Sequence, residues 1–232
     1  MTDLQGRTVV VTGAFGALGR VVARSAADRG AVVAALDMAY VPQGDLGLGE
    51  GAVLLGEVDL SDLAAAEAAM AKVKAQTGRL DVLLNIAGGF RWQTLADGDI
   101  EGWDRLYAMN VRLTATACKA ALPYLPMDGS GRIVNVGAAG ALKAGAGMGA
   151  YAAAKSGVHR LTESLAEELK GRVTVNAVLP SIIDTPTNRK DMPDADFAAW
   201  VRPDELAAVM LFLASPEAQA VTGALLPVTG RV

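Results

Sequence analysis

The 232-residue sequence is poor in several groups that chemistry often relies on. Cys118 is its only cysteine and His159 its only histidine. An intrachain disulfide is therefore excluded, and so is a metal centre built from clustered Cys and His. Cys118 lies in Ala115-Thr116-Ala117-Cys118-Lys119-Ala120 and reads as a small core residue rather than a nucleophile; a lone thiol suits a reducing compartment. His159 has no Asp or Ser at a suggestive spacing, so it reads as structural or interfacial rather than as a general base. Aromatic residues make up only 5 %, and a net charge of −4 without any basic run argues against nucleic acid or an anionic membrane as partner. No apolar run is long enough to span a bilayer. The start, Met1-Thr2-Asp3-Leu4-Gln5-Gly6-Arg7, carries no basic leader, so a cytoplasmic protein is expected.

What is plentiful is Ala, Val, Leu and Gly. Hydrophobic residues reach 52 % with 26 glycines, which suits a Val-rich buried sheet with tight turns. No repeat, linker or low-complexity segment divides the chain, and its length suits one domain.

Strand-like Thr8-Val9-Val10-Val11 leads into Thr12-Gly13-Ala14-Phe15-Gly16-Ala17-Leu18-Gly19-Arg20, and then into a helix-spaced apolar run. In that order, free backbone N–H groups and the helix dipole face a pyrophosphate, and glycines let the backbone approach it. The spacing is G-x-x-G-x-x-G rather than G-x-G-x-x-G, so the loop alone is a weak signal. A second strand, residues 31–36, ends in Asp37. That carboxylate can accept from an adenosine ribose and repel a 2′-phosphate, which predicts NAD(H) over NADP(H); an ordinary turn Asp is the plainer alternative. Residues 38–50 read as a loop, 52–58 as a third strand before Asp59-Leu60, and Ser61 as N-cap of an Ala-rich helix through Val73. Leu80-Asp81-Val82-Leu83-Leu84 is a fourth strand before Asn85-Ile86-Ala87-Gly88-Gly89-Phe90. This alternation predicts an α/β fold with a doubly wound parallel sheet, its ligands outside the carboxyl ends of the strands.

Helical spacing also runs through Tyr151-Ala152-Ala153-Ala154-Lys155-Ser156-Gly157-Val158-His159 to Leu169. Tyr151 and Lys155 share one face, a turn apart. A phenol ordinarily titrates near ~10. An ammonium ~4 Å away, at an effective dielectric of ~20, would favour the phenolate by up to ~4 kcal/mol and make Tyr151 a usable acid/base. Taken alone, such a pair more often marks a half-buried ring beside a solvated neighbour.

Together these motifs resemble the short-chain dehydrogenase/reductase family from end to end. The resemblance rests on Thr12–Gly19, Asp59-Leu60, Asn85-Ile86-Ala87-Gly88, Asn110, Tyr151 with Lys155, Pro180-Ser181-Ile182-Ile183-Asp184-Thr185 and Val221-Thr222-Gly223. It implies a single Rossmann-type domain over 1–232, with a short lid at about 186–200. It implies hydride transfer between NAD(H) and a small-molecule substrate. Tyr151 would be the proton donor, Lys155 would hold the nicotinamide ribose, and Asn110 would anchor a water leading to solvent. The cofactor would be met by Gly13, Phe15, Gly16, Ala17, Leu18, Gly19, Asp37, Asp59, Leu60, Asn85, Ala87, Gly88, Tyr151, Lys155, Pro180, Ile183 and Thr185. The Ile183 N–H and the Thr185 hydroxyl would take the carboxamide. By the same resemblance a homodimer or homotetramer is expected, through helices at about 103–122 and 151–169.

One departure stands out. The family's serine thirteen residues before the tyrosine is here Ala138. Losing one aligned donor to a developing oxyanion costs ~3–4 kcal/mol in ordinary ketone reduction. Ala138, the glycine loop, Ala87-Gly88-Gly89-Phe90 and residues 184–200 resemble the dihydropteridine reductase branch, which implies a quinonoid dihydropterin as one candidate acceptor. A pre-activated acceptor needs less polarisation, so the missing hydroxyl is chemically coherent. The rival is a non-catalytic NADH-binding sensor or scaffold. Phe90, Trp92, Met148 and Trp200, with Ala138, are expected around the substrate pocket, although such side chains are as readily plain packing. No metal site is expected.

Overall fold

The computed structural model describes residues 3–232, so the reading of the chain's start from Met1 and Thr2 lies outside it. In chain order the elements are β1 (Thr8–Thr12), α1 (Ala17–Ala27), β2 (Val32–Leu36), β3 (Val53–Leu55), α2 (Leu63–Thr77), β4 (Val82–Asn85) and α3 (Ile100–Tyr107). A π-helical turn at Ala108–Arg112 runs into α4 (Leu113–Ala121), followed by β5 (Gly131–Val136), α5 (Gly149–Glu168) and β6 (Val173–Pro180). The chain then forms α6 (Pro186–Asp191), α7 (Pro203–Leu213) and β7 (Leu225–Val228).

Among the described residues, seven strands make one parallel sheet in the order β3-β2-β1-β4-β5-β6-β7. β1, β5 and β6 are buried along their whole length, which is why they read as apolar-rich segments rather than alternating ones, with buried Arg132, Asn135 and Asn176 held by hydrogen bonds. Successive residues serve opposite faces. Val9, Val11, Val33, Leu84 and Val134 pack with α1 and α7, whereas Val10, Ala34, Leu83, Ile133 and Val175 pack with α2, α4 and α5. At about 1.5–3 kcal/mol for each fully buried aliphatic side chain, these two layers are the main stabilising force.

The topology puts a switch point at the centre of the sheet. From β1 the chain moves outward through β2 and β3, then returns to β4 on the other side and continues through β5, β6 and β7. A crevice opens there at the carboxyl ends of β1 and β4.

Several boundaries differ from the sequence reading. The third strand stops at Leu55, because Gly56 lies against Ala39 and Val41 and Glu57 turns the chain at φ 58°. Asp59 therefore stands well past the strand end. Ser61 does not cap α2. Asp62 does, accepting from the Ala65 N–H at 3.0 Å, while the Ser61 hydroxyl and N–H both donate to Asp59 Oδ1. The helix expected at about 103–122 starts earlier, at Ile100 after the Asp99 cap, and is interrupted by the π-helical turn around Asn110. The expected lid holds α6, with Pro186 in its first turn, and a 3₁₀ turn at Phe197–Ala199. None of the helices among the described residues is long and apolar enough to cross a membrane.

Candidate active site

The end of the crevice beside α1 is shaped by two close approaches and a bare N-cap. Gly13 adopts φ +66°, and a Cβ there would come within 2.9 Å of the Ala87 backbone. A Cβ on Gly19 would run into the Gly13 carbonyl oxygen and sit 2.8 Å from Ala14 Cα. Gly16 is the N-cap of α1 and offers no side chain to satisfy that helix's first N–H groups. A helix amino terminus with bare backbone donors, covered by glycines, fits an anionic pyrophosphate.

Gly13, Gly16, Ala17, Leu18, Gly19, Asp37, Leu60, Ala87, Gly88 and Thr185 all line a cleft of about 480 Å³. Met38, Val58, Ile86, Met109, Leu113 and Thr187 line it too, and the sequence reading missed them. Asp37 holds the loop as well as facing the cleft. Its Oδ2 accepts from the Phe15 N–H at 2.8 Å and its Oδ1 from the Ala39 N–H at 3.0 Å. Each oxygen keeps acceptor capacity for a sugar hydroxyl. Thr12, at the end of β1, fastens the other wall: its hydroxyl oxygen accepts from the Ile86 and Ala87 N–H groups at 3.0 and 3.1 Å.

Other expected cofactor contacts fall elsewhere. The Asn85 amide is buried and donates to Asn135 Oδ1 at 2.9 Å and to Cys118 Sγ, so its side chain serves the sheet interior rather than the cleft. Asp59 is engaged by Ser61, and the buried Phe15 ring packs in the core beside α1; neither lines the cleft. Pro180 ends β6, and Ile183 bridges to Val201 while its carbonyl accepts from the Asn188 amide at 2.8 Å. Neither residue is among those lining the cleft. The Thr185 hydroxyl oxygen accepts from the Asn188 N–H at 3.2 Å as the N-cap of α6, so it has a structural duty besides facing the cleft.

Of the three residues expected to be catalytic, Tyr151 and Lys155 share α5 and Asn110 meets Lys155 across Gly88, but their electrostatics depart from expectation. Lys155 Nζ is buried and donates to the Val136 carbonyl at 2.8 Å, not to the phenol. Burial lowers its pKa from an ordinary 10.5 to about 8. The Tyr151 ring packs edge-on against Phe90, centroids 4.9 Å apart, and burial pushes its hydroxyl up to about 12 with no opposing effect from Lys155. The phenol expected from its spacing to be acidified is instead held protonated by its burial. Asn110 is fully buried in the π-helical turn. It donates to the Gly89 and Leu106 carbonyls at 3.0 and 2.9 Å and accepts from the Gly89 N–H at 3.3 Å. Gly88 lies between the two groups: a Cβ there would stand 2.7 Å from Asn110 Oδ1 and 3.4 Å from Lys155 Nζ.

Ala138 is buried, and its N–H donates to His159 Nε2 at 3.3 Å. Burial first, then Arg160 and Lys155, lower the His159 pKa to about 4. The imidazole is therefore neutral and structural, as read from the sequence. Phe90 and Trp92 are more than half exposed, and the Trp92 indole donates to the Ala146 carbonyl at 3.1 Å, tying the segment after β4 to the loop before α5. Met148 is half-buried beside Gly140. Trp200 is not a pocket wall. It is 3 % exposed and packed on Phe197, centroids 4.8 Å apart, at the base of the 186–200 segment. Cys118 is buried and its thiol pushed up to about 12, as suits a core residue.

The sequence profile of a family described as short chain dehydrogenase matches residues 7–196. The chain belongs to the short-chain dehydrogenase family. It is 34 % identical over 241 residues to 3-oxoacyl-(acyl-carrier-protein) reductase FabG of Thermotoga maritima, covering 98 % of each chain. It is also 34 % identical over 241 residues to D-threitol dehydrogenase of Mycolicibacterium smegmatis, covering 98 % of this chain and 93 % of that one. Among solved structures, carveol dehydrogenase from Mycobacterium avium in complex with NAD superposes with a TM-score of 0.85 at 29 % identity, covering 99 % and 98 % of the two chains. This short-chain dehydrogenase carries Tyr151 and Lys155 where the resemblance expects the family's Tyr and Lys, and Ala138 where it expects a serine.

Proposed function

We propose that this chain is an NAD(H)-dependent oxidoreductase that moves hydride between nicotinamide and a small carbonyl or quinonoid substrate. The observation that carries the reading is the cleft, with a glycine-covered helix terminus at one end, Asp37 just past β2, and Gly88 on its wall. A Cβ on Gly88 would stand 3.4 Å from Lys155 Nζ, although Tyr151 and Lys155 themselves are not among the residues that line the cleft. The bound dinucleotide would supply the hydride. Gly13, Gly16, Gly19 and the first N–H groups of α1 would hold its pyrophosphate, and Asp37 its adenosine ribose. Lys155 would hold the nicotinamide ribose, exchanging the Val136 carbonyl for the sugar hydroxyls. Ile183 and Thr185 would serve the carboxamide, and Asn110 a water near Lys155.

Tyr151 keeps its proton on the phenol oxygen at neutral pH. An alkoxide forming beside it is far more basic than a phenolate, so proton transfer to it runs downhill. The free protein is thereby set for reduction. In the oxidative direction a charge must first lower the phenol, and the ammonium of Lys155, once turned from Val136, is the group placed to do so.

Asp37 predicts the choice of dinucleotide. NADH is expected to bind at least tenfold more tightly than NADPH in equilibrium titration; tighter binding of NADPH would refute the assignment.

The acceptor follows from Ala138. Its side chain offers no hydroxyl and its N–H is taken by His159, so Tyr151 is left as the donor to a developing oxyanion. Such a site suits an acceptor that is already electron-poor, a quinonoid dihydropterin being one candidate. The named relatives, by contrast, are called after a 3-oxoacyl-(acyl-carrier-protein), D-threitol and carveol. A panel of quinonoid dihydropterin, a quinone and small ketones, with NADH consumption followed, tests the reading. Faster turnover of the pre-activated acceptors supports it. Tight NADH binding with no turnover of any acceptor would favour the non-catalytic sensor that Ala138 also allows.

A further inference from the structure

At the opposite edge of the sheet, below the amino ends of β1, β4 and β5, three guanidiniums border a second cavity of about 360 Å³. Arg79 is matched in charge. It pairs in bidentate fashion with Asp81 at 2.7 and 2.8 Å, and Asp81 also accepts from the Thr8 N–H. Arg7 and Arg132 are not matched. Arg7 donates to the Ala214 carbonyl at 3.0 Å and to the Ser130 carbonyl. Arg132, 2 % exposed, donates to the carbonyls of Gly129, Gly131 and Ser215 at 2.7, 2.9 and 3.2 Å. All five acceptors are neutral. Among the described residues neither guanidinium forms a salt bridge, and Arg7 Nε and Arg132 Nη2 have no hydrogen-bond partner.

The other carboxylate on the cavity is Asp128, exposed at the rim, where its Oδ1 accepts from the Ser130 hydroxyl and N–H at 2.6 and 3.0 Å. Three cations thus border the cavity against two carboxylates. Burial is the main cause that lowers the pKa of both Arg7 and Arg132. For Arg7, Asp81 and Asp128 raise it and Arg79 lowers it, Asp81 acting more strongly than Arg79; Arg132 is lowered further by Arg7 and raised by Asp128. Burying two cations this close is costly unless a counter-charge meets them.

We propose that this cavity binds a small oxyanion of the phosphate type, held by the free N–H groups of Arg7 and Arg132 with Arg79 at the mouth. Guanidinium forks match paired phosphate oxygens, and the space exceeds what the anion alone requires, so a phosphomonoester also fits. The cavity and the dinucleotide cleft lie at opposite ends of the strands, so both sites can fill together. The anion would clamp residues drawn from the start of the chain, the α2–β4 turn and β5, and so stabilise the fold.

The test titrates the full chain with inorganic phosphate or glycerol phosphate, against sodium chloride at matched ionic strength, with and without saturating NADH. At tenfold excess over Kd, a rise in Tm of about 3 °C is expected. The rise should persist with NADH and be lost in Arg7→Gln. Asp128→Asn should bind the anion several-fold more tightly, and this arm stands if Arg7→Gln does not fold. A shift with inorganic phosphate alone supports a free-anion site; a shift with both supports a phosphomonoester site. No shift beyond that of chloride, a shift abolished by NADH, an unchanged shift in Arg7→Gln, or no tightening in Asp128→Asn would overturn the proposal.

Discussion

Lys155→Met is expected to raise the melting temperature at pH 7 while lowering turnover by at least about a hundredfold. The first effect follows from the burial of the amine. Its displacement from an ordinary 10.5 to about 8 corresponds to about 3 kcal/mol, which the folded protein gives up to keep the charge inside. Methionine fills a similar volume without a charge. The substitution strands the Val136 carbonyl, at a cost of about 1 kcal/mol, leaving a net gain of about 2 kcal/mol. For a chain of this size that is about 4–8 °C in Tm. The sign with pH is fixed by the direction of the shift. Between about pH 8 and 10.5 the unfolded chain binds the proton that the folded one has released, so wild-type stability rises with pH across that window. The burden is full below pH 8. Lys155→Met lacks this rise, so its advantage shrinks with pH, and above pH 10.5 wild type is the more stable by about the 1 kcal/mol of the Val136 hydrogen bond. Thermal unfolding at pH 7, 9 and 10.5 checks the account; a destabilised variant with the same pH slope as wild type would refute it.

Gly19→Ala is expected to weaken cofactor binding by more than about tenfold while leaving the protein folded at room temperature. The added methyl cannot be relieved by a rotamer change, because it meets the Gly13 carbonyl and the Ala14 backbone rather than a flexible side chain. The loop must open, at about 1–3 kcal/mol of overpacking, and the N–H groups that face the pyrophosphate lose their alignment. NADH affinity should fall by more than about tenfold while circular dichroism at room temperature stays native-like. Unaltered affinity would show that the glycine loop does not hold the dinucleotide.

Much of this site can be read directly from residue patterns. Val9-Val10-Val11, Ile133-Val134 and Val173-Thr174-Val175 are buried on both faces, so their strands appear as apolar runs, and the glycine spacing at 13, 16 and 19 marks the turn between β1 and α1. Tyr151 and Lys155 fall on one face of α5 as their spacing requires. What could not be read is which way polar side chains resolve competing partners. Asn85 turns to Asn135 across two strands, and Asp59 to its neighbour Ser61. Lys155 prefers a carbonyl nineteen residues back in the chain to the phenol one turn away. Helical spacing places two side chains side by side but says nothing of a third group that outbids one of them. Met38, Met109 and Thr187 escaped for a related reason: they enter the cleft from three separate segments that only the sheet's topology brings together. The π-helical turn at Asn110 likewise leaves no compositional mark in Tyr107-Ala108-Met109-Asn110-Val111.

Single-turnover oxidation of bound NADH by a pre-activated acceptor at pH 7, compared between wild type and Tyr151→Phe, tests the central claim most directly. The account predicts a rate at least about a hundredfold slower in the variant, with NADH affinity unchanged, because only the proton donor has been removed. An undiminished rate in Tyr151→Phe would contradict it.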